Sequence, residues 1–415
     1  MPGKNLLEWT IMIYLAGDNN LSSAGERDLE EMRQIGSTDD VNVLAEFDNA
    51  GNQGTRRFHI QKDGISEHIV ELGETDSGDP AVLIDFVKWV KQNYPAKRYA
   101  LVLWNHGSGW SPTEIDRIAH KIGTADYNVR EASERSASPL GRLFFRTTME
   151  KILALPTASE RAICSDDGTG HSLDTIELGS VLHEIKDILG QKLDILGMDA
   201  CLMSNIEVAY QVRNYAKFLV ASEENEPNDG WPYDRFLERV AQDPSLNTIQ
   251  LASFLVNDYI AFYEQNYPNK TVTQSALNLG RFQEILITLD KLAKTLADHM
   301  PQAKFWVWEA KNRTLANFYH LTLWDIGEFC DRIAMLDTNP AIQQAARDVT
   351  NVLENADEPF VVAEGSLGDK VAYCRGVTIY HPPKRATDGI SPYYPELEFA
   401  KVGRWLKLLQ AYHIA

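Results

Sequence analysis

The chain has 415 residues, a formal net charge of −19, and 44% hydrophobic and 24% charged residues. This composition is typical of a globular protein, and the length exceeds what one hydrophobic core usually holds. We therefore expect two domains, at 1–245 and 246–415. The negative charge argues against nucleic acid or an anionic membrane as a partner. The four cysteines are far apart, which disfavours a zinc site and a disulfide scaffold.

The first half of the chain alternates apolar strands with amphipathic helices. Asn20 can cap the first helix and Gly36 can close it, and Asp79-Pro80 is typical of the start of the second. Lys62-Asp63-Gly64 separates two shorter strands, as the turn of a hairpin would. The alternation predicts an α/β fold with a parallel sheet covered by helices on both faces. The predicted strands are 9–16, 41–47, 56–61, 68–72, 99–105, 163–165, 193–198 and 218–221, and the predicted helices are 21–35, 80–93 and 176–188.

The second half of the chain has mostly helical periodicity and only short strands. It predicts a mostly helical C-terminal domain whose strands can rejoin the main sheet. The predicted helices are 248–265, 281–298, 303–318, 322–335, 339–354 and 399–412, and the predicted strands are 271–279, 360–364, 371–374 and 376–380.

No apolar run in the sequence approaches the about 20 residues that a membrane span needs. Trp9–Ala16 has neither the basic lead nor the cleavage site of a signal peptide, and it is better explained as a core strand. We therefore expect a cytoplasmic protein. A secreted protein whose leader has been trimmed is the alternative.

Two strand ends carry residues suited to nucleophilic catalysis. Cys201 follows the strand at 193–198, and the apolar residues from Leu202 onward have helical spacing, so Cys201 should lie where a strand ends and a helix begins. A helix N-terminus there would favour the thiolate. His106 follows the strand at 99–105. Because the carboxyl ends of parallel strands meet at one edge, the two side chains should meet although about 95 residues separate them.

A thiol beside an imidazole can attack a carbonyl, with the imidazole as base and then as acid. The plain alternatives are a buried, inert Cys201 and a His106 that only caps a strand end. Cys164, Cys330 and Cys374 have no comparable surroundings, and we expect them to be inert.

Four stretches of the chain, taken in order, resemble the clostripain-type cysteine peptidases, family C11 of the clan of caspases, legumains and gingipains. The resemblance implies a caspase-like three-layer sandwich with a mostly parallel central sheet, plus the mostly helical C-terminal lobe. It also implies a cysteine endopeptidase that cleaves after Arg or Lys at P1 with a His106–Cys201 dyad. The backbone amides of Gly107 and Cys201 would form its oxyanion hole. The four stretches are 11–21, 103–110, 198–203 followed by 207–210, and 221–233.

Asp199 precedes Cys201 by two residues, and strand alternation would place both on the same face. A nearby anion raises the pKa of a thiol, so Asp199 would not help to activate the nucleophile. Its carboxylate would instead suit the bottom of a cation-binding pocket. The resemblance agrees, because the matching acid of relatives lies in the S1 pocket, and Asp229 resembles a second acid near it. The alternative is a strand-end aspartate that caps the next helix.

The segment 111–161 is long, polar and basic. The resemblance implies an activating cut after a basic residue between the catalytic residues, and we expect it at Lys121, or otherwise at Arg117. The alternative is a solvated surface excursion.

Some relatives depend on calcium, but the acidic turns at Asp166-Asp167 and Glu223-Glu224 lack the spacing of a calcium loop, so we predict no metal site. The expected partners are peptide or protein substrates with basic residues, and the expected state is a monomer. Two other functions stay open: a non-catalytic or latent binding module with a caspase fold, and a thiol amidase or acyltransferase that acts on a small molecule.

Overall fold

The computed structural model of the protein describes residues 6–18, 21–50, 54–65, 67–105, 163–166, 171–173, 175–318, 321–355, 357–383, 389–391 and 394–414. They divide into two compact units that alternate along the chain. The first unit takes its residues from 1–203, 214–216 and 227–251, and the second from 204–213, 217–226 and 252–415. The domain boundary after residue 245 stays a prediction.

One mostly parallel sheet organises the first unit. Its described strands lie in the order β4-β3-β2-β1-β5-β8. The consecutive strands β2, β1, β5 and β8 are parallel, and β3 and β4 continue the sheet as an antiparallel hairpin. A separate antiparallel pair is formed by β6 and β7. The strands are β1 (Leu7–Gly17), β2 (Val41–Asn49), β3 (Gly54–His59), β4 (His68–Gly73), β5 (Ala96–Trp104), β6 (Ile163–Asp166), β7 (His171–Leu173) and β8 (Leu193–Asp199).

Helices cover this sheet because its central strands are apolar on both faces. Consecutive side chains of a strand point to opposite faces, yet every residue from Trp9 to Gly17 of β1 and from Leu193 to Asp199 of β8 is buried. The helices contact one another in two pairs, α1 with α5 and α2 with α3. They are α1 (Ser22–Ile35), α2 (Pro80–Asn93), α3 (Thr175–Leu189) and α5 (Tyr233–Gln242). These features confirm the predicted α/β class.

The second unit is mostly helical and holds two antiparallel groups of strands. Strand β10 pairs with β9 and with β13, and β12 pairs with β11 and with β14. The strands are β9 (Ala216–Ala221), β10 (Val272–Asn278), β11 (Asn317–Phe318), β12 (Leu323–Asp325), β13 (Val361–Leu367) and β14 (Thr378–Tyr380). The helices are α4 (Ile206–Val212), α6 (Thr248–Asn266), α7 (Phe282–Asp298), α8 (Gln302–Arg313), α9 (Ile326–Leu336), α10 (Pro340–Thr350), α11 (Glu398–Val402) and α12 (Trp405–Ile414).

Two predicted helix ends are confirmed by their capping residues, Gly36 and Asp79. Gly36 closes α1 with φ +67°, a backbone conformation that glycine adopts without strain. The carboxylate of Asp79 accepts a hydrogen bond from the Ala81 N–H, with Pro80 in the first turn of α2. The residue before α1 is Leu21, which makes no side-chain cap, and Asn20 lies outside the described residues.

Several predicted elements of the second half are wrong. The helix predicted over 303–318 ends at Arg313, and the start of the one predicted over 322–335 is instead the strand β12. The strand predicted over 371–374 is a short 3₁₀ turn, Asp369–Val371, followed by irregular backbone. The last predicted helix is two helices, α11 and α12. Such errors arise because the secondary structure of short segments depends on strand pairing and tertiary burial, which local periodicity does not encode.

In the part of the chain that the structure describes, no helix is long and apolar enough to span a bilayer.

Candidate active site

The candidate active site begins where strands β5 and β8 end together. These parallel neighbours are in register, with Trp104 opposite Asp199. Beyond the last pair, the backbone N–H of Asn105 donates to the carbonyl oxygen of Asp199 over 3.3 Å. The segments that leave the two strands therefore start from one edge of the sheet. Both His106 and Gly107 lie outside the described residues.

Cys201 lies in a turn directly after β8 and is half-buried. The helix predicted to begin at Leu202 begins instead at Ile206. Two features explain the delay. The backbone of Leu202 is left-handed, with φ +65°, which no right-handed helix contains, and the side chain of Asn205 accepts from the N–H groups of Glu207 and Val208. The expectation that Cys201 lies at a helix N-terminus is therefore wrong.

Asp199 is a buried carboxylate whose hydrogen-bond donors come from a distant part of the sequence. Its Oδ2 accepts from the hydroxyl of Tyr233 over 2.9 Å and from the backbone N–H of Trp231 over 3.3 Å. Only 4% of Asp199 is exposed. Asp199 is the last residue of β8, so strand alternation does not extend to Cys201. The loop around residue 230 supplies the surroundings of the Asp199 carboxylate.

The loop that holds Asp229 closes on Asp199. Gly230 has φ +55°, and a Cβ added to it would lie 3.2 Å from the Oδ2 atom of Asp199. Asp229 precedes this glycine and is half-buried. The structure thus brings the backbone next to Asp229 against the carboxylate of Asp199, and the S1 role of the two acids stays a prediction.

A glycine in β8 makes room for the aromatic ring of this loop. A Cβ at Gly197 would lie 2.9 Å from Cη2 of Trp231 and 3.1 Å from a methyl group of Val102. The indole of Trp231 is 2% exposed, so it is packed against the strand rather than against solvent. The position of the loop therefore depends on residue 197 being a glycine, which has no side chain.

Two further acids of the first unit, which the sequence did not single out, interact electrostatically with Asp199. Asp28 and Glu31 lie on α1, and the backbone N–H of Tyr233 donates to Glu31 over 3.1 Å. Burial first, and then the Asp199 and Glu31 carboxylates, raise the pKa of Asp28 well above its usual range. Burial and then Asp234 raise the pKa of Glu31 to about 7. The feature of the sequence that could have identified this group is Asp28, an acid on the buried stripe of an amphipathic helix.

The other described thiols have the properties of inert cysteines. Cys330 and Cys374 are buried, and burial is the first cause that raises the pKa of each thiol above its usual value. A thiol that keeps its proton is a poor nucleophile. The side chain of Cys164 lies outside the described residues, as do Lys121 and Arg117 of the predicted processing segment.

The acidic side chains that the structure describes form no cluster of the kind that binds calcium. Among the described residues, no three or more His, Cys, Asp or Glu side chains come together in a way that could hold a metal ion. Glu223 accepts from the backbone N–H of Gly376, and Glu224 pairs with Lys370. Asp167 lies outside the described residues. That the protein has no metal site stays a prediction, and calcium stays a possibility implied by the family resemblance alone.

Comparison with known proteins identifies the family. The model of the clostripain family, Peptidase_C11, matches residues 13–131 and 152–410. Clostripain of Hathewaya histolytica is 28% identical over 301 residues, which are 65% of this chain and 48% of clostripain. The match thus spans about half the length of that relative.

Two solved structures share the fold. An inactive zymogen C11 protease from Parabacteroides distasonis has a TM-score of 0.61 at 18% identity, with 98% of this chain and 99% of the other covered. A secreted C11 cysteine protease from Bacteroides thetaiotaomicron, in complex with an irreversible peptide inhibitor, has a TM-score of 0.64 at 19% identity, with 96% and 99% covered. At these identities the likeness concerns the fold, which is that of the caspase-like C11 proteases. Because the family model covers most of its length, the chain belongs to the clostripain family.

Proposed function

We propose that the protein is a cysteine endopeptidase that cleaves peptide bonds after Arg or Lys. The observation that carries this proposal is the register of β5 and β8. Trp104 lies opposite Asp199, and His106 and Cys201 each follow their paired residue by two positions. Adjacent parallel strands lie about 5 Å apart, so two residues at the same distance beyond such a pair start within reach of each other.

The proposed reaction is acyl transfer to the thiol. His106 takes the proton of Cys201, and the sulfur attacks the carbonyl carbon of the scissile bond. The backbone N–H groups of Gly107 and Cys201 stabilise the oxyanion. His106 then gives its proton to the leaving amine, and water releases the acyl group.

The preference for a basic residue would come from Asp199. Its carboxylate is held by two donors and is otherwise shielded from water, so a guanidinium or ammonium group in the pocket would supply a strong, weakly screened partner. Asp229, next to Gly230, would be the second acid of the S1 pocket. The substrates are accordingly peptides or proteins with basic residues.

Fluorogenic peptides that differ only at P1 test this function. Arg and Lys peptides should be cleaved and a citrulline peptide, which is neutral, should not. Cys201→Ala should abolish cleavage, whereas Cys330→Ala, which removes a buried thiol elsewhere, should retain it. Equal cleavage by the wild type and Cys201→Ala would refute the proposal.

The two other functions predict different results in the same experiment. A latent binding module would leave Cys201 unlabelled by a thiol-directed inhibitor, even after treatment with trypsin. A small-molecule amidase would turn over a simple amide while basic peptides remained intact.

We also propose self-processing in the 111–161 segment, after Lys121 or Arg117. Intact mass and N-terminal sequencing of incubated wild type should reveal a cut that Cys201→Ala lacks. An uncut but active wild type would refute it. The cytoplasmic location and the monomeric state stay predictions, and assays with and without a calcium chelator would test calcium dependence.

A further inference from the structure

Asp28 is a buried acid that stability alone does not explain. It is 3% exposed, and its Oδ2 has no hydrogen-bond partner among the described residues. A buried carboxyl with an unsatisfied oxygen lowers stability relative to an apolar side chain of similar size. Buried acids of this kind are concentrated at functional sites.

The position of Asp28 links it to the base of the proposed S1 pocket. Trp104, which lies opposite Asp199 in the sheet, partly offsets the rise in the pKa of Asp28. One turn earlier on α1, a Cβ at Gly25 would lie 3.5 Å from Cη2 of the same tryptophan. This part of α1 therefore passes directly over the end of β5.

The charged groups around Asp28 are mostly acidic. The charges of Asp199 and Glu31 act on Asp28, and those of Asp234 and Asp199 act on Glu31. Arg27 is a cation that lowers the pKa of Asp28. Its guanidinium donates to the carbonyl oxygen of Asn228. Tyr233 joins two of the acids directly, with its hydroxyl on Asp199 and its N–H on Glu31.

These acids are not all ionised in the free protein. Burial and the neighbouring carboxylates raise the pKa of Asp28 well above its usual range, and the pKa of Glu31 rises to about 7. Near neutral pH, Glu31 is therefore divided between its protonated and ionised forms, and burial favours the protonated form of Asp28. A cation placed among them would favour the ionised forms.

We propose that Asp28 and Glu31 form, with Asp199, a proton-coupled cation pocket. A basic P1 side chain enters beside Asp199, and one proton leaves the Asp28–Glu31 pair for the solvent. The charge of the pocket is then balanced without a bound counter-ion. This inference rests on the proposed preference for basic residues and adds two specificity-determining residues to it.

The coupling has a measurable consequence for binding. If one proton leaves for each cation bound, affinity rises about tenfold for each pH unit over the range in which that proton is held in the free protein. The affinity for Arg ligands should therefore increase between about pH 6 and about pH 8. A neutral ligand of the same shape should show no such trend.

Calorimetry on the full chain carrying Cys201→Ala tests the coupling without turnover. N-acetyl-argininamide is the probe and its citrulline analogue is the neutral control, each titrated in two buffers with different heats of ionisation. We expect proton release and tighter binding at higher pH for the Arg probe alone. Binding of the Arg probe with no proton release and no pH trend would overturn this inference and leave the proposed function intact. Failure of the Arg probe to bind would overturn the basic preference itself.

Two substitutions test whether Asp28 and Glu31 release the proton when the Arg probe binds. Asp28→Asn and Glu31→Gln should each reduce proton release and flatten the pH trend, and Asp28→Asn should fold at least as stably as its parent. Asp48→Asn is the matched control, because Asp48 is also buried with an unpartnered Oδ2 and a pKa raised to about 6, but its acidic neighbours are Asp18 and Glu74. Undiminished release in both Asp28→Asn and Glu31→Gln would overturn the assignment. Glu31 is half-buried, so Glu31→Gln tests it even if Asp28→Asn misfolds.

Discussion

The hydroxyl of Tyr233 donates a hydrogen bond to the carboxylate of Asp199 over 2.9 Å, at the start of α5 and the end of β8. The backbone N–H of the same tyrosine binds Glu31 of α1 over 3.1 Å. One residue therefore positions two acids that belong to different elements of the first unit. Both the proposed S1 pocket and the proposed proton coupling depend on this arrangement.

Removing the hydroxyl with Tyr233→Phe should weaken recognition of basic substrates. A hydrogen bond to a charged group contributes about 1.5–3 kcal/mol, and about 1.4 kcal/mol corresponds to a factor of ten. We expect KM for Arg peptides to rise about tenfold with little change in kcat, because in the proposed function Asp199 binds the P1 side chain and does not touch the reacting atoms. Steady-state kinetics measures both constants.

Tyr394→Phe is the control for the loss of a buried tyrosine hydroxyl. Tyr394 donates to Glu207 over 2.7 Å in the second unit, so its loss should lower stability without a selective effect on KM. Equal effects of the two substitutions on KM would contradict the assigned role of Tyr233.

Gly230→Ala should cost both stability and activity. The left-handed backbone adds about 1 kcal/mol of strain for a non-glycine residue, and the new Cβ would also lie 3.2 Å from Oδ2 of Asp199. Gly190→Ala is the matched control, because Gly190 has φ +72° and nothing lies within 4 Å of its Cβ position. Thermal unfolding should reveal a loss in both variants, whereas only Gly230→Ala should raise KM. A KM change in Gly190→Ala of the same size would refute this explanation.

Gly197→Ala should displace the Trp231 loop through overpacking. The new Cβ would lie 2.9 Å from the indole, and such crowding typically costs about 1–3 kcal/mol. Because Trp231 also donates its N–H to Asp199, we expect weaker binding of the Arg probe as well as a lower melting temperature. Gly365→Ala crowds Ile260 in the second unit to a similar degree and should affect the melting temperature alone. Unchanged binding of the Arg probe by Gly197→Ala would contradict a role of the Trp231 ring in shaping the pocket.

Glu207→Gln should change how stability depends on pH. Burial is the main cause that raises the pKa of Glu207 from 4.5 to about 7, although Tyr394 and the backbone of Tyr380 donate to it. The folded state then binds more protons than the unfolded state between these values, so wild-type stability falls as pH rises through that window and levels off above about pH 7.

The glutamine variant lacks this titration. Its stability relative to the wild type should increase from about pH 4.5 to about pH 7, by roughly 3 kcal/mol. Denaturant unfolding at several pH values measures the difference. Glu264→Gln, at an exposed position of α6, should run parallel to the wild type, and a Glu207→Gln curve that did the same would refute the prediction.

Local patterns in the sequence were sufficient for the α/β class and for the position of Cys201. The apolar run from Leu193 to Met198 and the caps at Gly36 and Asp79 encode their structure within a few residues, so the strand and the helix ends could be predicted. The helix after Cys201 was misplaced because the spacing from Leu202 is helical, while the left-handed Leu202 and the Asn205 cap delay it to Ile206.

The tertiary structure alone decided what surrounds Asp199. Trp231, Tyr233, Asp28 and Glu31 are distant from it in the chain, and they meet it only because α1, β8 and the start of α5 come together in the first unit. The sequence does contain an acid on the buried stripe of α1, but the same spacing also describes an ordinary solvated face. Periodicity reports which way a side chain points along its own element, whereas its pKa and partners depend on elements that fold against it from elsewhere.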